Sequence, residues 1–409
     1  MRGAGHLLGF GLILLLAACA GEESGSVLRI SGSAVGAEGE VLTRQVDRFM
    51  TVHPGVRVEI QRTPDDASQR HQLYVQWLNA HVGRPDVLQL DVVWTAEFAA
   101  AGWILPLDRF QPSTDDLFPA TLEANRWRGR LFAFPWFMDV GMLYWRTDLV
   151  PRAPASLDEL ARFARAGLSD RVPYGIVWQG ARYEGLVTVF LEVLGACGGE
   201  ILSRDGRVAV ASRAGVRALE FLRGQIGGIA PPEVLTWHEE EARFAFQNGN
   251  AVFLRNWPYA WPLLNEPGTR VAGRFAVAPM PPILAAPGGR PSAALGGAQL
   301  AINARTRHPE LAWRLIAFLT APEQMLERAR VARQYPPRRS LWQDPRLAEA
   351  LGVPLRDVRR ILESAAPRPV TPVYTELAEA LQIHLHRALS GQAAPAEALQ
   401  AAAREMEEI

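Results

Sequence analysis

Residues 27–94 read VLRISGSAVGAEGEVLTRQVDRFMTVHPGVRVEIQRTPDDASQRHQLYVQWLNAHVGRPDVLQLDVVW, and this stretch decides the fold. Val27 to Ser31 is a short apolar strand. Leu42, Val46, Phe49 and Met50 fall on one helical face, which His53-Pro54-Gly55 stops. Val56, Val58 and Ile60 alternate as a strand does. A second helix carries Leu73, Trp77 and Leu78 and ends at Gly83, and Asp86 to Val92 is the third strand. Strand, helix, strand, helix, strand calls for right-handed crossovers and a mostly parallel sheet. Ligands of such sheets sit beyond the carboxyl ends of the strands. Glu38 and Glu40 follow the first strand and Asp91 ends the third, where a ligand cleft needs them.

A second lobe begins near Tyr144-Trp145-Arg146. It holds the turn Trp178-Gln179-Gly180, helices around residues 184–196 and 213–226, and the aromatic segment Asn256-Trp257-Pro258-Tyr259-Ala260-Trp261. Leu300 to Asn303 is a return strand, and Ala312, Leu315, Ile316 and Leu319 mark the helix after it. From about residue 346 the tail is helical around a proline-rich break at Pro367 to Pro372. At 409 residues the chain exceeds one ordinary core, which agrees with two lobes.

Acidic and basic residues balance at 43 each, which argues against a nucleic-acid surface or a general anionic-membrane surface. Lysine is absent, so every basic side chain is a planar, forked arginine. Twelve Trp supply flat faces of the kind that pack on the C–H faces of sugar rings. With only Cys19 and Cys197, the chain can make no disulfide after processing at Cys19, and no Cys/His set has zinc spacing. Cys197 reads as a small, inert, buried residue. No cofactor is expected.

Arg2 precedes an apolar run from Leu7 to Ala20, too short to span a bilayer comfortably and fit for a signal peptide over residues 1–18. The run closes on Leu16-Ala17-Ala18-Cys19, which resembles the lipobox of bacterial lipoproteins. That resemblance makes Cys19 the diacylated N-terminus, followed by a flexible tether over residues 19–26. The protein is then extracytoplasmic, held to the membrane at the cell surface or in a periplasm.

Four segments carry a wider resemblance: Asp86 to Trp94, Pro135 to Tyr144, Arg255 to Trp261, and Pro367 to Val370. In this order and at these separations they resemble the solute-binding proteins of sugar ABC importers, the trehalose/maltose-binding proteins in particular. The resemblance implies a type II periplasmic-binding-protein fold, two α/β lobes of mostly parallel sheet joined by a multi-stranded hinge. One lobe is then 27–139 plus 298–345 and the other 146–295 plus 346–409, with crossings at 140–145 and 296–297. It also implies a monomer that hands a small saccharide to permease subunits served by a cytoplasmic ATPase. Carried over by position, the ligand contacts are Glu38, Asp91, Asp139, Trp257, Tyr259, Gly297 and Arg368.

The chemistry suits a sugar. Carboxylates accept from adjacent hydroxyls, and an arginine fork donates in fixed geometry. Each contact also has a plainer reading: Asp91 as a helix cap, Asp139 as a hinge carboxylate, Trp257 as core, Arg368 as an ion pair between lobes. Glu40, Arg182, Tyr183 and Glu184 are lesser candidates. The family's aromatic after the Gly296-Gly297 pair is replaced by Ala298, and Phe137 stands where a tyrosine is usual, so Trp136 is a candidate to fill the space. Two rivals stand beside this reading. One casts Glu38 and Asp91 as the carboxylate pair of a glycoside hydrolase; the other puts a polyamine, peptide or iron complex in the same scaffold.

Overall fold

The structure is a computed structural model that describes residues 26–32, 36–64, 67–203, 205–284 and 288–409. The expected signal peptide and Cys19 lie outside the described residues, as does the expected tether except Ser26, which already begins the first strand.

The expected opening is present. Strand β1 (Ser26–Gly32), the helix Gly36–Val52, β2 (Val56–Arg62), the helix Ala67–Asn79 and β3 (Val87–Asp91) follow in order. Gly55, at φ 89°, supplies the left-handed turn that ends the first helix and starts β2. Both β2 and β3 pair in parallel with β1. In β3, Val87 to Leu90 are all buried, as a strand covered on both faces requires.

The sheets are mixed, and this corrects the mostly parallel expectation. A small hairpin of β4 (Arg126–Trp127) and β5 (Arg130–Leu131) precedes β6 (Ala133–Val140) and β7 (Met142–Arg146). After them come β8 (Tyr174–Val177), β9 (Ala251–Asn256), β10 (Phe275–Ala278), the ten-residue β11 (Ala293–Ile302) and the short β12 (Ala365–Ala366). The first sheet runs β12-β11-β3-β1-β2, with β6 also on β11. The second runs β10-β7-β9-β8. Because β11 returns antiparallel to both β3 and β6, the site edge of the first sheet is antiparallel. In the second sheet only β8 and β9 are parallel.

Chain order through Gly141 joins the sheets: β6 belongs to the first and β7 to the second. One buried core gathers Leu28, Ile30, Phe49, Leu300 and Leu315 under the first sheet. Another gathers Leu186, Phe190, Phe253, Leu381 and Leu399, where the helices Tyr374–Leu389 and Pro395–Glu408 of the tail close over the second lobe. Cys197 is the one described cysteine, 2% exposed, and burial pushes its thiol up to about 11, so it is inert as expected.

Candidate ligand-binding site

Asp91 is the last residue of β3, Asp139 the last but one of β6, and Glu38 lies in the first turn of the helix Gly36–Val52. Strand register places the two aspartates. Ala298 of β11 pairs with Asp91 on one side and Phe137 on the other, while Gly296 pairs with Asp139. Directly paired residues of an antiparallel ladder point to the same face, and so do residues two apart, so Asp91, Phe137 and Asp139 share one face.

Two glycines make that face usable. A Cβ on Gly296 would lie 3.3 Å from the Asp139 Cβ and 3.5 Å from the Trp257 ring, so the bare backbone leaves room between carboxylate and aromatic. Gly297 sits at φ 114° beside a register shift, and a Cβ there would meet the Phe137 carbonyl oxygen at 2.3 Å. Burial, then the charges of Glu38 and Asp91, pushes the Asp139 carboxyl up to about 7. That coupling brings all three carboxylates into one electrostatic cluster.

Around them the side chains are held from behind. Glu38 Oε1 accepts from Gln89 Nε2 at 3.2 Å, whereas Glu40 is exposed, so Glu38 is the residue turned to the cluster. Asp91 Oδ1 accepts from the Val93 amide at 3.2 Å and from Arg368 Nη2 at 3.5 Å, combining the cap with the ion pair. Arg368 Nη1 donates to Glu184 Oε1 at 2.9 Å, and Glu184 also accepts from the Tyr374 hydroxyl. Burial pushes the Glu184 carboxyl up against the pull of Arg368 and Tyr374. Arg368 Nε is buried and has no hydrogen-bond partner among the described residues.

Trp257 immediately follows β9. Its ring nitrogen donates to Glu239 Oε1 at 3.3 Å, its carbonyl accepts from the Tyr144 hydroxyl at 2.8 Å, and the Arg255 guanidinium lies 4.2 Å from its ring centre. The ring is fixed before any ligand arrives. Tyr259 is 37% exposed and donates its hydroxyl to Glu240 Oε1 at 2.6 Å. Arg182 is exposed, and Tyr183 packs on His238 with ring centres 4.4 Å apart.

Ala298 is a core residue. It is 5% exposed in the core that also holds Leu28, Ile30, Trp136 and Phe137. Two residues escaped the reading of the sequence. Tyr335 is buried, and its phenol is pushed up by burial and by Asp139. Arg328 lies 1% exposed beside Glu38. Its signal was a charged residue on the buried stripe of Met325, Leu326 and Ala329. A separate cleft of about 1150 Å³ runs past Leu122, Trp127, Ile201, Arg290 and Leu362, and of the expected contacts it reaches Arg368 alone.

Two lobes joined through Gly141, with polar groups from both gathered at the junction, are the architecture of a binding protein. A model of the bacterial extracellular solute-binding proteins matches residues 33–326, and the chain belongs to that family. Its relatives and fold are those of binding proteins and not of enzymes, which sets aside the hydrolase reading of Glu38 and Asp91. A probable ABC transporter-binding protein of Deinococcus radiodurans is 35% identical over 361 residues, 84% of each chain. The maltose-bound T. maritima MalE3 is 39% identical with a TM-score of 0.81, over 94% of this chain and 99% of that one. The Thermotoga lettingae ABC transporter solute-binding protein bound with α-D-tagatose shares the fold at 24% identity and a TM-score of 0.77, over 94% of this chain and 98% of that one.

Proposed function

We propose that this chain is the substrate-binding lipoprotein of a carbohydrate ABC importer. It takes a small saccharide, a disaccharide such as maltose or trehalose or a related glucoside, and delivers it to the permease. The observation that carries this reading is the cluster of Glu38, Asp91 and Asp139 with Trp257 and Arg368, drawn from both sheets. Carboxylates accept from neighbouring hydroxyls, the arginine donates, and the indole face packs on a sugar ring. The 39% identical relative solved with maltose supports the ligand class. Ligand held by groups of both lobes favours the closed arrangement by its differential affinity. The protein acts as a monomer, its lobes 27–139 plus 298–345 and 146–295 plus 346–409 moving about the crossings, with Cys19 lipidated.

Thermal unfolding with maltose, trehalose, sucrose and simple monosaccharides tests the reading. A sugar at a hundredfold excess over its Kd stabilises the folded state by about 2.7 kcal/mol, and Asp91→Asn abolishes the shift. A shift with a polyamine or a peptide and with no sugar would move the ligand class.

A further inference from the structure

Arg328 belongs to the helix Pro322–Ala332 and is among the largest fully buried side chains. Its guanidinium lies 3.8 Å from the Trp136 ring centre and 5.6 Å from that of Phe137, and its Nε donates to Gln334 Oε1 at 2.7 Å. Stacked and pinned, the fork has one orientation. Both Nη1 and Nη2 are sealed from solvent without a hydrogen-bond partner among the described residues. Leaving such groups unsatisfied is costly, so a protein keeps them only for a reason.

The reason stands opposite. Glu38 Oε1 is 3.8 Å from Nη2. The other acidic residue facing the guanidinium, Glu327, is already engaged by Arg48 and Gln45. Burial lowers Arg328 to about 10, so it stays a cation at neutral pH. Glu38 in turn faces Gln89, Arg328 and the Asp139 carboxyl. Its Oε1 is thus drawn to the protein side by Gln89 and Arg328, and Oε2 has no hydrogen bond among the described residues.

We propose that Arg328 is a positioning residue that acts through Glu38, holding Oε1 so that Oε2 is presented to a sugar hydroxyl. The proposal rests on the saccharide reading of the site. Arg328 itself touches no ligand, because both Nη atoms are covered.

Two double-mutant cycles on the purified protein test it, using Arg328→Met, Glu38→Gln and the pair. In calorimetry with maltose, Arg328→Met weakens binding at least tenfold in the wild-type background and less than twofold when Glu38 is already Gln. Equal losses in both backgrounds, or no loss, overturn the proposal. In thermal unfolding without ligand, Glu38→Gln lowers the midpoint of the wild type by roughly 2 °C or more, because it strips a buried cation of its counter-ion, and leaves that of Arg328→Met unchanged. Equal drops overturn the proposal. Should the wild type ignore maltose, the saccharide reading loses that ligand while the unfolding cycle still decides the role of Arg328. If Arg328→Met fails to fold, Arg328→Gln, neutral but able to keep the Gln334 bond, replaces it in both cycles.

Discussion

At the residue scale, the proposed contact Asp139 carries a cost in stability. Its carboxyl is raised from the ordinary 3.8 to about 7 by burial beside Glu38 and Asp91. A folded-state value above the unfolded one stabilises the protein at low pH, and that contribution is lost as pH rises from about 4 through about 7. At pH 8 the folded protein carries a buried charge that unfolding would release to water. Asp139→Asn removes that penalty. The ligand-free variant is therefore expected to melt above the wild type at pH 8, by about 1–2 kcal/mol once partial exposure is allowed for, with the gap closing near pH 5. Calorimetric scans across that range check it. A constant gap would show that burial of the charge is not what sets it. The same variant should bind maltose more weakly, since an amide oxygen is a poorer partner for a hydroxyl than a carboxylate.

At the scale of elements, the crossing from β6 to β7 is stitched to β11 by one buried ion pair. Arg255 Nη2 meets Glu192 Oε1 at 2.5 Å and Arg255 Nε meets Oε2 at 2.9 Å, and the two side chains are 0% and 2% exposed. Glu192 Oε1 also accepts the Ala294 amide at 3.2 Å, and the Ala294 carbonyl accepts from the Gly141 amide at 3.0 Å. A Cβ on Gly141 would fall 1.7 Å from that carboxylate oxygen and 2.5 Å from the guanidinium. Glycine is needed here for space. Gly141→Ala should therefore push the pair apart and cost about 3 kcal/mol, the scale of a broken buried ion pair. Gly228→Ala is the control, since its nearest neighbour would be 3.7 Å away. Urea unfolding compares them, and similar midpoints would mean the crossing yields without strain. Because Arg255 also packs on Trp257, Gly141→Ala should blunt saccharide affinity as well.

For the whole molecule, Arg368 joins Asp91 of the first sheet to Glu184 of the helix Glu184–Ala196 in the second lobe. In the proposed function, a sugar that competes for those donors and acceptors would exchange an internal link for its own and so tie occupancy to the relation between lobes. The proposed delivery to a permease takes place at the membrane. No helix among the described residues is long and apolar enough to cross one, so the proposed anchor is the lipid on Cys19. Cys19→Ser should move the protein from the membrane fraction to the soluble fraction with its saccharide affinity intact. Membrane association that persists would mean another feature holds it.

Much of the fold was legible because periodicity reports burial. The spacing of Leu42, Val46 and Phe49, the alternation of Val56, Val58 and Ile60, and the stop at His53-Pro54-Gly55 each specify an element within a few residues. Asp91 at a strand end and Glu38 at a helix start are local features of the same kind. Pairing across the chain is not written in any local window. The antiparallel insertion of β11 between β3 and β6 follows from which apolar faces fit together, and it made the sheet more mixed than the mostly parallel one expected. Spacing already favoured Glu38, and the exposure of Glu40 agrees with it, whereas the two partners of Arg368 lie 184 and 277 residues away in sequence. Arg328 was hidden for the same reason: a lone arginine on an apolar stripe acquires meaning only when packing covers its nitrogens and sets one carboxylate against them. Sequence determined the elements and the kinds of side chain at their ends, while tertiary packing decided which of those charges face one another out of water.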